Sequence, residues 1–351
     1  MSNMLQEIRQ QPETLRRTLE RGLRGIRDLE RRLQKDRPRL VVIAARGTSD
    51  NAAQFGRYLI EITTGIPVSL AAPSVVTVYK KGLDLRNALV VGISQSGEST
   101  DTNAVLSSGR KRGATTIGIT NQPRSTMAKT AEYTLLVQAG EERSVAATKT
   151  YTGQLLALYL LVSALEGSVR IDDLRRLPGW VEAILGQEQK IAEAVERYRF
   201  MNGTVTVGRG LNYANALEFG LKLMETCYVL AERFSAADLM HGPIAIVERA
   251  FPVFVFAPAG PTWPSISRVL KRLADLKADT LVIADSANKK ALKSARVLEI
   301  PAQPGLSNAI ADLYTPIPYI IPAQLLAAHL ARVKGLDPDR PRTLSKITRT
   351  M

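Results

Sequence analysis

The chain repeats itself at a fixed offset. Ala45-Arg46-Gly47 stands before Thr48-Ser49-Asp50-Asn51-Ala52-Ala53, and Gly208-Arg209-Gly210 stands before Leu211-Asn212-Tyr213-Ala214-Asn215-Ala216, 163 positions later. Val91-Gly92-Ile93 leading to Gly97 maps onto Phe254-Val255-Phe256 leading to Gly260 at the same offset, and the stretch 113–119 maps onto 277–283 at 164. Three matches in one register mark a duplicated unit. A chain of 351 residues exceeds what one core usually organises, so two domains are expected.

Within each copy, short β-rich runs alternate with longer helical stretches. The runs fall near 40–45, 89–93, 115–120 and 133–137, then near 204–208, 252–256, 280–284 and 297–300. That alternation predicts βαβ crossovers and a parallel sheet covered by helices, an α/β fold. The expected division is a helical segment over 1–37, a first domain over 38–170, a connecting helix over 171–200, a second domain over 201–335 and a tail over 336–351.

Ligands in such sheets sit at the carboxyl ends of strands. There the first copy carries Ser94-Gln95-Ser96-Gly97-Glu98-Ser99-Thr100, between the run ending at Ile93 and a helical stretch over 101–113. Backbone N–H groups at a strand-to-helix turn, the positive helix end and clustered hydroxyls form an anion cradle. The second copy has Ala257, Pro258, Ala259, Gly260 and Pro261 instead; the hydroxyls are gone and proline removes a donor. Phosphate binding is expected only in the first copy.

Composition excludes several classes. The single cysteine, Cys227, rules out a disulfide framework and suits a reducing, cytoplasmic compartment. Met1 opens onto polar residues rather than a signal peptide, and the longest apolar run, Leu155–Leu165, reads as a buried helix too short to span a membrane. The net charge of +14 raises the question of nucleic acid, but arginines 16, 17, 21, 24, 27, 31 and 32 interleave with Glu13, Glu20, Asp28 and Glu30 at helical spacing. A solvated, salt-bridged helix face follows, with no nucleic acid and no membrane as partner.

Glu218, Lys222 and Glu225 recur at spacings of four and three, on one helix face among Leu217, Leu221, Leu223 and Met224. Charges packed into such a helix need partners or a task. His241, one of two histidines, lies in the turn signal Met240-His241-Gly242-Pro243, whereas His329 reads as part of a packed helix. The tail 337–346 is proline-marked and irregular, unusual for a disposable terminus.

Together, SQSGES at 94–99, RGTSDNAA at 46–53, SVAATKT at 144–150 and the run at 216–243 resemble the sugar isomerase (SIS) family, and more narrowly the isomerase half of glucosamine-6-phosphate synthase. The resemblance covers about residues 38–349. It implies two SIS domains, each a parallel five-stranded sheet flanked by helices in a flavodoxin-like three-layer sandwich. Phosphate and sugar contacts then fall on Thr48, Ser49, Ser94, Gln95, Ser96, Ser99 and Thr100, with Val145, Ala147 and Ser345 also in the substrate site. Ala147 departs from the synthase pattern, which has serine there. Glu225 is implied as the carboxylate moving a proton between C1 and C2 of an open-chain sugar phosphate, with Lys222 biasing its charge. His241, supplied across a homodimer, is implied in ring opening, and Lys346 of the DxDxPRxLxK ending in a Schiff base with the carbonyl. No cofactor and no metal are expected.

The synthase draws ammonia through an amino-terminal glutaminase with a cysteine nucleophile, which this sequence does not show. The spellings ARGTSDNAA and RTLSKITRT look closer to SIS-type glucosamine-6-phosphate deaminases. Deamination of glucosamine 6-phosphate to fructose 6-phosphate and ammonia is therefore the first expectation. A fructosamine-6-phosphate deglycase, an isomerase subunit of the synthase and a non-catalytic sugar-phosphate sensor are the alternatives.

Overall fold

The computed structural model describes residues 2–294, 296–302 and 310–344. Three helices come first: α1 (Asn3–Arg9), α2 (Gln11–Gly25) and α3 (Arg27–Lys35). The first α/β series runs β1 (Leu40–Ala44), α4 (Thr48–Thr64), β2 (Val68–Leu70), α5 (Ser74–Thr77), β3 (Ala88–Ser94), α6 (Thr100–Lys111), β4 (Thr115–Thr120), α7 (Thr126–Thr130), β5 (Tyr133–Leu136) and α8 (Lys149–Ala164). Short helices α9 (Ile171–Leu174), α10 (Leu177–Leu185) and α11 (Glu188–Ala194) follow. The second series runs β6 (Gly203–Gly208), α12 (Tyr213–Cys227), β7 (Leu230–Ser235), α13 (Ala236–Met240), β8 (Pro252–Phe256), α14 (Trp263–Asp275), β9 (Asp279–Asp285), β10 (Val297–Ile300) and α15 (Pro316–Val333).

Both sheets are five-stranded and parallel. The first is ordered β2-β1-β3-β4-β5 and the second β7-β6-β8-β9-β10, the same order in the second copy's own numbering. β1 and β6 begin at Leu40 and Gly203, β4 and β9 at Thr115 and Asp279, and β5 and β10 at Tyr133 and Val297, so the sequence repeat is a repeat of strands. The strands that periodicity did not name are β2 and β7. β2 has three residues, and β7 is an edge strand with Leu230 74% exposed, so neither shows a buried apolar run.

Contacts divide the chain into two compact units. One holds the first sheet, over 13–142 and 149–175; the other holds the second, over 2–12, 143–148 and 176–343. The helical segment over 1–37 is thus shared between the units rather than standing as one piece. Asp339 caps α1 within the second-sheet unit, its carboxylate accepting from the N–H groups of Asn3 at 2.6 Å and Met4 at 2.8 Å. Nor is 171–200 one connecting helix. Pro178 occupies the first turn of α10, where its missing N–H costs nothing, and it cannot prolong α9.

In the first-sheet unit, Val42, Ala44 and Val90 pack with Val105, Leu106 and Met127 on one face. α4 and α8 are also packed together there, with the rings of Phe55 and Tyr159 meeting edge to face at 5.1 Å. α8 is buried along nearly its whole length, as the apolar run implied. Glu142 caps it, accepting from Thr150 N at 3.1 Å and Thr150 Oγ1 at 2.7 Å. α2 is more than a solvated face: Arg16 and Arg17 pair with Glu13, while Thr14, Leu15, Thr18 and Leu19 are buried.

In the second-sheet unit, alternation along β8 sends Val253 and Val255 to the α14 side and stacks Phe254 and Phe256 on Phe219 of α12, at 5.1 and 6.3 Å. Among the described residues no helix is long and apolar enough to cross a membrane.

Candidate active site

The first-sheet unit has its topological switch point between β1 and β3, whose carboxyl ends are neighbours with Ala44 opposite Gly92. Two loops leave this edge. The first passes Gly47, in a left-handed conformation at φ 57°, into α4, which opens on Thr48 and the buried Ser49. Ser49 Oγ accepts from the amide of Gln154, 2.9 Å away on α8.

The second loop is the predicted cradle. Ser94 ends β3, and its Oγ accepts from Gly97 N at 3.1 Å, closing a tight turn. Gly97 has φ 68°, and a Cβ built on it would lie 2.2 Å from Ser125 Oγ, so glycine is required there for both conformation and space. Its carbonyl accepts from Asn103 Nδ2 and Met127 N, both at 3.0 Å. Gln95 contributes its carbonyl to Asn121 N at 3.1 Å, and Ser96 Oγ accepts from Glu98 N at 3.2 Å. Ser99 precedes α6 and pairs its hydroxyl with Thr102 at 3.0 Å; Thr100 opens the helix. The one acidic side chain of the loop, Glu98, is engaged by Thr126, N to Oε1 at 3.0 Å and Oγ1 to Oε2 at 2.7 Å.

The second copy has no hydroxyl over the corresponding positions 257–261. Its loop carbonyls at Ala257 and Pro258 accept from Asn288, and Thr262 donates to the buried Asp312 at 3.1 Å. Burial pushes the Asp312 carboxyl up, against the hydrogen bond from Thr262.

The second-sheet unit carries the predicted charges. On α12, Lys222 Nζ lies 2.5 Å from Glu225 Oε2 and 3.4 Å from Glu218 Oε1, with side-chain exposures of 1% for Lys222, 0% for Glu218 and 23% for Glu225. Burial pulls the Lys222 ammonium down, but the two carboxylates outweigh it and hold it well above the ordinary lysine range. It is a fixed cation, and Glu225 is the member that meets solvent. At the matching positions of α4 in the first copy stand the apolar Phe55, Leu59 and Ile62, the first two buried.

Beyond α12, Tyr228 adopts φ 53°; its hydroxyl accepts from Arg342 N at 2.8 Å, and the Arg342 guanidinium lies 4.5 Å from the ring centroid. The start of the tail is thus fixed at the end of the charged helix. Ser345 and Lys346 lie outside the described residues. His241 follows α13 and is exposed, while His329 is on the packed α15, 2.9 Å from Glu188. Val145 and Ala147 are partly buried and belong to the second-sheet unit, whereas the cradle belongs to the other.

Sequence reading passed over several residues. Gln154 behind Ser49 carries no motif signal. Arg46 does lie in the repeated Arg-Gly step, yet its partner Asp101, 2.7 Å away in the first turn of α6, is too distant along the chain to be paired with it from spacing.

A family model described as the SIS domain matches residues 34–164 and 203–333. The isomerizing glutamine–fructose-6-phosphate aminotransferase of Gloeobacter violaceus is 36% identical over 360 residues, covering 98% of this chain and 58% of that protein; its counterpart in Pyrococcus horikoshii is also 36% identical, with 98% and 57% covered. The chain thus spans somewhat over half the length of these relatives. A solved C-terminal domain of glucosamine-fructose-6-phosphate aminotransferase from Francisella tularensis superposes with a TM-score of 0.86 at 28% identity, covering 97% of this chain and 98% of that one. A glucosamine-6-phosphate deaminase from Thermotoga maritima has a TM-score of 0.78 at 23% identity, covering 99% and 100%, a likeness of fold. With both copies matched, the chain belongs to the SIS domain family.

Proposed function

We propose that the chain is a sugar-phosphate isomerase acting on a C6-phosphorylated amino sugar, performing the isomerase half of the reaction after which its aminotransferase relatives are named. The carrying observation is the α12 trio: a half-open carboxylate held against a buried lysine, in the one copy of a duplicated helix that has given up apolar packing for charge. In this reading the cradle anchors the phosphate. Glu225 takes a proton from C1 of the open-chain ketose imine and returns it to C2 of the enamine, giving the aldose amine; the reverse uses the same two transfers. Lys222 holds the Glu225 side chain in place for both transfers. Before those transfers Lys346 holds the open-chain carbonyl as an imine, which ammonia displaces, releasing the lysine amine and leaving the ammonia-derived ketose imine, and His241 of the partner subunit moves the ring-opening proton in a homodimer.

The expectation of a deaminase gives way here. The two relatives at 36% identity bear the aminotransferase name, while the deaminase likeness, at 23%, supports the fold alone. The test is proton NMR in deuterium oxide with fructose 6-phosphate plus ammonia, or with glucosamine 6-phosphate alone. Deuterium entering C1 or C2, lost in Glu225→Gln, supports the isomerase. Accumulation of ammonia and fructose 6-phosphate as the dominant outcome restores the deaminase, and no exchange with any sugar phosphate overturns both.

A further inference from the structure

We propose that Arg46 sets the charge of the phosphate cradle by cancelling Asp101, so that the crevice admits a phosphate dianion; this rests on the reading of the cradle as a phosphate anchor. Asp101 is the second residue of α6, the helix whose positive end the cradle uses, and its side chain is only 7% exposed. A carboxylate in a helix's first turn satisfies the same dipole that would hold an anion, and it repels that anion directly. Left alone, Asp101 opposes phosphate binding. Arg46 reaches it from the neighbouring loop, just past the last paired position of β1, with a 2.7 Å bond and 49% of its side chain in solvent. The pair therefore bridges the two loops that leave the switch point.

The duplicate supplies an independent comparison. Arg209 is the repeat counterpart of Arg46, in the copy whose loop has lost its hydroxyls, and the position equivalent to Asp101 is Pro264. There the arginine bonds Ser235 at 3.0 Å, at the end of β7 on the other side of β6 from β8. The arginine turns toward the β3–α6 loop only in the copy where a cradle and an acidic residue exist.

Titration calorimetry with inorganic phosphate and with glucosamine 6-phosphate, on the full chain and on Arg46→Met, Arg46→Lys, Asp101→Asn and the Arg46→Met/Asp101→Asn double variant, tests this. Arg46→Met should weaken both ligands about tenfold, the scale of one charge-assisted interaction. Arg46→Lys should stay within about threefold of the parent, and the double variant should regain most of the loss, because the carboxylate that needed cancelling is gone. A double variant as weak as Arg46→Met, or an Arg46→Met that binds like the parent, overturns the role of Arg46 while leaving the phosphate anchor in place. A parent protein that binds neither ligand overturns both.

Discussion

Lys222 holds its ammonium 2.5 Å from Glu225 while Glu218 closes the other side at 3.4 Å, so one buried cation serves a carboxylate fully inside the protein and another at its surface. The two carboxylates should therefore respond differently. Glu225→Gln should abolish turnover yet shift stability by less than about 1 kcal/mol. Lys222→Met should cost about 3–5 kcal/mol, because it leaves the Glu218 charge buried without its cation, and Glu218→Met added to it should recover a large part. Urea unfolding of the three variants beside turnover measurements checks this.

Alkali should find the same lysine. Its folded-state pKa is raised, so its stabilising contribution is complete below the unfolded lysine value and is lost as pH rises through the folded one. Melting temperatures should fall more steeply above about pH 10.5 in the parent than in the Lys222→Met/Glu218→Met double variant.

Acid should act through α15. Burial pushes the His329 imidazole below its usual value despite the pull of Glu188. Burial would likewise raise Glu188, but bonds from Arg9 at 2.8 Å and His329 at 2.9 Å hold it below the usual carboxylate range. The unfolded chain takes up the histidine proton first, so stability declines as pH falls from about 6.5, and the Glu188 contribution is lost lower still. The melting-temperature advantage of the parent over His329→Gln should be larger at about pH 7.5 than at about pH 5.5.

Gly97→Ala should damage the cradle specifically. The left-handed backbone and the 2.2 Å approach of a Cβ to Ser125 Oγ should cost about 1–3 kcal/mol and displace the loop. Phosphate affinity by calorimetry should fall at least tenfold, with the far-UV circular dichroism of the parent retained.

Tyr319 offers a control away from the chemistry. Its hydroxyl donates to Asp285 Oδ2 at 2.8 Å and accepts from Asp285 N at 2.9 Å, and both residues are buried. Tyr319→Phe should lose about 1–3 kcal/mol in chemical denaturation with turnover unchanged.

Local pattern made most of this protein legible. Strand periodicity located β1, β3, β4, β5 and their duplicates because each carries a short run of apolar or β-branched residues, buried in the central strands, and the offset between copies survived because a repeated fold repeats its spacing. The serine-rich turn and the 218–222–225 spacing were readable for the same reason: strand ends and helix faces are set by neighbours a few residues away. What only the folded chain decided involves partners far apart in sequence. β7 is a strand because β6 offers it a ladder, although its own residues include an exposed leucine and two charges. Arg46 finds Asp101, Ser49 finds Gln154, and α1 finds its cap in Asp339 at the opposite end of the chain. Such pairings cost loop-closure entropy that grows only slowly with separation, so no local signal marks them, and packing alone selects them.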